Sequence, residues 1–165
     1  MARNEGLKRE KSSLSPFCGK ASVAAPVKKL KYIRGGKTME REGFLGVIIL
    51  ESLADPTIID EVEVIKESDI KAPPDDPYPI WRRRLVFIET DKIQQYASKL
   101  ASFMKEDFYN HFVNDEKLVV VFKGRYFILD KYDKSSWNEM ISYGETVRVG
   151  QKWTTSIPVE KEKLL

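Results

Sequence analysis

Apolar positions in this chain gather in short clusters separated by charged or proline-bearing connections, and the spacing inside each cluster predicts its element. Gly43 to Glu51 (GFLGVIILE) is apolar almost throughout and rich in β-branched residues, as a buried strand is. Ser52 to Pro56 interrupts it with an Asp55-Pro56 loop signal. Thr57 to Lys66 then sets Val62 and Val64 against Glu61 and Glu63, the alternation of a strand with one wet face. Its first part, Ile58 to Glu61, can instead form one helical turn. Ala72 to Pro79 carries four prolines in eight residues; each removes a backbone donor and restricts φ, which predicts an extended loop. Ile80 to Glu89 returns to strand character.

The pattern then lengthens. Ile93, Tyr96, Ala97, Leu100, Phe103 and Met104 fall on one face of a helix, with Thr90 expected as its N-cap and Asp91 beside the positive end of its dipole. Three short strands follow: Phe108 to Val113, Lys117 to Phe122 and Arg125 to Asp130. The last two are joined by Lys123-Gly124, a length suited to a tight hairpin. Ser136 and Glu139 have capping-box spacing ahead of a second helix with Trp137, Met140 and Ile141 inward and Gly144 as its stop. Val147 to Trp153 reads as a short edge strand or an irregular segment. The order β-β-β-α-β-β-β-α predicts an α+β domain: a mostly antiparallel sheet of five to six strands, with both helices packed on one face.

Composition narrows the class. With 165 residues, 42% hydrophobic and 32% charged, the chain is too apolar to be wholly disordered, and one domain is the expectation. Its longest apolar runs, Phe44 to Leu50 and Leu118 to Phe122, are far short of the roughly 20 residues of a membrane-spanning helix, so no membrane partner is expected. The net charge of +3 hides an asymmetry. Residues 1–38 hold ten Lys and Arg against two acids, a surplus of eight positive charges; the other eighteen basic and twenty-three acidic residues leave residues 39–165 five charges negative. Residues 1–38 show no sustained period and many Ser, Gly and Pro, which predicts a disordered basic tail ahead of a single α+β domain over 39–165. Three explanations compete for that tail: an arm for nucleic acid or another polyanion, a targeting peptide, or a start placed too early, with translation beginning at Met39. Cys18, the sole cysteine, cannot form an intramolecular disulfide, so a cytoplasmic location follows by elimination. One Cys and one His also exclude a Cys/His zinc site; no metal and no cofactor is expected.

Candidate chemistry is sparse. His111, in Tyr109-Asn110-His111-Phe112, is the one side chain that ordinarily titrates near neutrality, and it could act as acid or base; a structural role is the simpler account. Arg82-Arg83-Arg84 is the one basic cluster of the body. On a strand Arg82 and Arg84 share a face with Arg83 opposite, either pairing with local acids or clamping a small anion beside Trp81. Lys123 to Ile128 (KGRYFI) faintly follows the strand motif with which some sheets stack RNA bases, but it lacks the second aromatic, and the acidic body would repel phosphates. Nucleic acid is therefore not expected on the body and remains open for the tail. Asp75-Asp76 and Asp130 with Asp133 lack calcium-loop spacing, and no glycine-rich phosphate loop, G-x-S-x-G or H-E-x-x-H motif is present.

Phe103 to Phe112, Val119 to Gly124, Phe127, Trp137 and Tyr143-Gly144 resemble a group of small prokaryotic proteins without an assigned function, over roughly residues 42–158. That resemblance implies a body beginning near Met39 and brings no catalytic residue with it. The expectation is a binding or regulatory module for a protein or small anion, with Tyr109, His111, Lys123 and Arg125 converging at one end of the meander. The alternative is an enzyme acting on a small anionic substrate, with His111 as acid or base and Arg82 or Arg84 as anion clamp.

Overall fold

The structure, a computed structural model, describes residues 29–164. Six strands form one antiparallel sheet: β3 (Gly43–Ile49), β4 (Glu63–Lys71), β5 (Ile80–Glu89), β6 (Asn110–Val113), β7 (Lys117–Phe122) and β8 (Arg125–Asp130). Their order across the sheet is β4-β5-β3-β6-β7-β8. The α+β class and the strand alternation of the body are as the sequence predicts. The central strands are apolar on both sides because the sheet is covered on both. Leu45, Val47, Leu85, Phe87, Leu118, Val120 and Phe122 fill one core, while Phe44, Ile48, Val86, Ile88, Val119 and Val121 fill the other.

This double burial corrects the expected placement of the helices. α1 (Ile93–Phe103) packs through Ile93, Tyr96, Ala97 and Leu100 on the second core, with the 3-10 segment Pro56–Glu61 beside it. α2 (Asn138–Thr146) and α3 (Gln151–Thr154) lie over the first core, where Trp137 and Met140 are buried. The Trp137 indole donates to the Asp130 carbonyl at 2.8 Å, fastening this helical unit to the end of β8. α3 occupies the stretch expected to be an edge strand or irregular.

Two expected caps are replaced by others. α1 begins at Ile93 after a turn, with Lys92 rather than Thr90 at its N-cap and no side-chain cap bond. Ahead of α2, Asp133 accepts from the Ser135 amide at 3.0 Å; Ser136 donates to the Asp133 carbonyl, and Glu139 pairs with Arg125 instead of closing a capping box.

The fold also starts earlier than expected. β1 (Leu30–Arg34) and β2 (Lys37–Arg41) form a separate hairpin, so residues 30–38 belong with the body and the domain includes residues upstream of Met39. Gly35 and Gly36, taken from sequence as breakers, both have positive φ (54° and 75°), which is what a two-residue hairpin turn requires. Leu30 and Tyr32 alternate inward, 1% and 2% exposed, and Tyr32 stacks on Phe87 at 5.1 Å. Arg41 joins the hairpin to the sheet through Glu63 and Glu89, both at 2.6 Å. The predicted disorder of residues 1–28, and Cys18 with it, lies outside the described residues.

Close approach at the sheet centre leaves no room for a side chain at Gly46, which pairs with Phe112 across β3 and β6. A Cβ there would lie 2.1 Å from the Phe112 ring and 2.6 Å from the His111 carbonyl, and the latter, as backbone, cannot yield. Gly46→Ala is therefore expected to destabilise the fold by about 3 kcal/mol, as measured by urea unfolding. An unchanged midpoint would mean that β3 and β6 are not so closely paired.

Candidate cleft beside His111

On the face that carries α2 and α3, the covering is assembled from short pieces and leaves a cleft of about 460 Å³ over the β5-β3-β6 region. Strand parity places its floor. Val47 opposes Leu85 and His111 across its two neighbours, and Ile49 opposes Arg83, so Val47, Ile49, Trp81, Arg83 and His111 all line it. The walls are the proline-rich loop (Pro73, Asp75, Asp76, Pro77), the segment before β6 (Asp107, Phe108, Tyr109), α3, and the C-terminal residues Pro158, Lys163 and Leu164. The proline-rich loop is held from outside by Lys105, which donates to the Tyr78 hydroxyl at 3.2 Å and to the Glu51 carbonyl at 3.1 Å.

Two lining residues carry buried polar atoms without a partner: Nε2 of His111 and Nε1 of Trp81. An unmade hydrogen bond at a buried group costs about 1–3 kcal/mol, so two of them beside one cleft call for an explanation. His111 is 8% exposed. Burial pushes its imidazole down to about 4; the nearby Pro158 carbonyl favours the charged form, and the positive charge of Arg83 opposes it. The ring is therefore neutral at pH 7, a hydrogen-bonding group rather than a charge. At the rim, Asp107 and Arg148 both hold positive φ, 71° and 66°, and pair at 3.2 Å. Non-glycine residues in that region are strained and cluster at functional sites.

The expected site residues divide between several places. Tyr109 and His111 do come together, with ring centroids 5.9 Å apart, and both line the cleft. Lys123 pairs with Glu106 at 3.2 Å, while Arg125 pairs with Glu139 and lies 4.6 Å over the Phe127 ring; neither reaches the cleft. Phe127 is in the core and offers no stacking platform. Arg82 pairs with the buried Glu51 at 2.7 Å, and Arg84 with Glu67 and Asp69 at 3.2 and 3.8 Å. Both arginines proposed as a clamp are thus committed to local acids. Arg83, set on the opposite face, is the one that lines the cleft, and it makes no ion pair among the described residues. Its parity with Trp81 was readable; which face turned inward was not, because Leu85 and Val86 are equally apolar. Among the described residues no group of three or more His, Cys, Asp or Glu is placed to hold a metal, and no helix is long and apolar enough to cross a membrane.

The depressed His111 pKa has a stability consequence. Between about 4 and the ordinary 6.5 the unfolded chain binds more protons at this position than the folded one, so stability contributed at pH 7 is lost as pH falls through that window. The full effect is about 3 kcal/mol. Wild type is expected to lose urea resistance relative to His111→Gln as pH drops from 7 to 4.5; a constant difference between the two would contradict a buried, neutral imidazole. In comparisons with protein-family models, curated proteins and solved structures, nothing matches this chain.

Proposed function

We propose that this protein is a cytoplasmic, non-catalytic binding module whose cleft beside His111 takes a small organic ligand. The observation that carries this is the convergence of two unpartnered buried polar atoms, on Trp81 and His111, with the unpaired Arg83 on one cleft. Its size lies within the roughly 300–1,000 Å³ of ordinary ligand pockets, and its mix of apolar walls with a few polar groups is also of that kind. Both orphan atoms are shielded from water, so ligand contact with them takes a small adjustment of the Trp81 or His111 ring, recovered when the missing hydrogen bonds form.

An enzyme using His111 fits less well. A general acid or base works best with a pKa near the operating pH, and an imidazole near 4 is an unprotonated, weak base at pH 7. Among the described residues, the cleft lining also has no Ser, Thr or Cys to act as a nucleophile. Nucleic-acid binding through the basic tail concerns residues outside the described part of the chain.

A fragment screen on the full chain by 1H–15N NMR tests the proposal. Binding fragments are expected to shift the Trp81 indole and the amides of Arg83, Tyr109 and His111 together, and Trp81→Ala is expected to abolish those responses while the protein stays folded. Hits that consistently map elsewhere, or none in the cleft, would sink it.

A further inference from the structure

The cleft continues into a second cavity of about 250 Å³, and the two share Val47, Ile70, Arg83, Lys163 and Leu164. Their charges differ. Asp75, Asp76, Asp107 and Lys152 line only the larger cavity, whereas the smaller is lined by Lys66, Ser68, Arg83 and Lys163 with Val47, Ile70, Leu85 and Leu164 and, among the described residues, by no acid. Among the described residues, Arg83 and Lys163 give this lining a positive character.

A defect in strand pairing builds this cavity. The β4-β5 register slips between Val64 and Lys66. Before the slip Glu63 opposes Phe87; after it Lys66, Ser68 and Ile70 oppose Leu85, Arg83 and Trp81. One extra residue reverses the parity of β4 and re-aims its side chains, as bulges do. Lys66 and Ser68 are thereby brought onto the face of Arg83, and Ile70 onto that of Trp81. Without the bulge the same positions would face the α1 side. Arg83 and Lys163 form no ion pair among the described residues, which leaves their charge for a ligand.

Resting on the binding-module reading, we infer that the ligand is an amphipathic monocarboxylic acid. Its carboxylate is held by Arg83, Lys163 and Ser68 in the smaller cavity, and its apolar or aromatic body runs along Trp81, Phe108 and Trp153 in the larger. A guanidinium donates two parallel hydrogen bonds to a carboxylate, and the Ser68 hydroxyl, directly across from Arg83, supplies a third donor. Asp75 and Asp76 in the larger cavity oppose a second anionic group beside them, which disfavours dicarboxylates.

The test uses the full chain with 4-phenylbutyrate, its uncharged amide, phenylpropyl phosphate and inorganic phosphate, followed by tryptophan fluorescence and 1H–15N NMR. The acid is expected to bind in the cleft at least about ten-fold more tightly than the amide, the scale of a charge-assisted hydrogen bond. That preference should vanish in Arg83→Gln and shrink in Lys163→Gln, an exposed position where folding is not at risk. Tighter binding of the phosphate ester, or binding of inorganic phosphate alone, would overturn the carboxylate assignment. Equal binding of acid and amide in the cleft would refute the anion subsite while leaving the binding module standing. If neither perturbs the cleft residues, the inference fails, and the module fails with it only if the fragment screen is silent there as well.

Discussion

A sheet that is apolar on both faces has to be covered on both, and the rest of this molecule follows from that requirement. β3, at the centre, cannot carry a polar side chain on either face, and at Gly46 it cannot carry a side chain at all, because Phe112 and the β6 backbone press against it. One face is closed by α1, whose apolar stripe matches the strands beneath. The other is closed by α2, the four-residue α3, the β1-β2 hairpin and the C-terminal residues, and these pieces leave a cleft beside His111. The cleft is the gap they leave.

What lies under that gap is held by the core rather than by the loops. His111 and Asn110 sit side by side on β6 and point to opposite faces. Asn110 is satisfied, accepting from the Ile49 amide at 3.2 Å and donating to the Ser52 hydroxyl at 2.9 Å. His111 is not. The same division runs through the arginines of β5: the two that face acids are neutralised, and the one between them meets the cleft. Alternation along two strands thus separates residues that maintain the fold from residues with unmet bonding capacity.

Much of the fold was legible because period and burial agree. The meander from Asn110 to Asp130 and the α1 stripe announce themselves by spacing alone. Three things were not legible, each for a physical reason. The Gly35-Gly36 pair reads as a breaker unless Leu30 and Tyr32 are seen to alternate with Lys31 and Ile33, which turns the same glycines into a hairpin turn. The face taken by α2 is ambiguous in a sheet apolar on both sides. The β4 bulge has no sequence signature, yet it decides where Lys66 and Ser68 point. Of the residues expected to converge, Tyr109 and His111 line the cleft, Lys123 and Arg125 pair with acids of their own, and Arg83 rather than Arg82 or Arg84 faces the cleft.

The central claim is geometric: one cleft with an aromatic end at Trp81 and a cationic end at Arg83. The most direct measurement is the set of intermolecular NOEs between the protein and bound 4-phenylbutyrate. Phenyl protons are predicted to contact Trp81, Phe108 and Trp153, and the methylene next to the carboxylate to contact Val47, Leu85 and Leu164. A reversed orientation, or contacts confined to exposed side chains such as Ile33 or Tyr132, would contradict it.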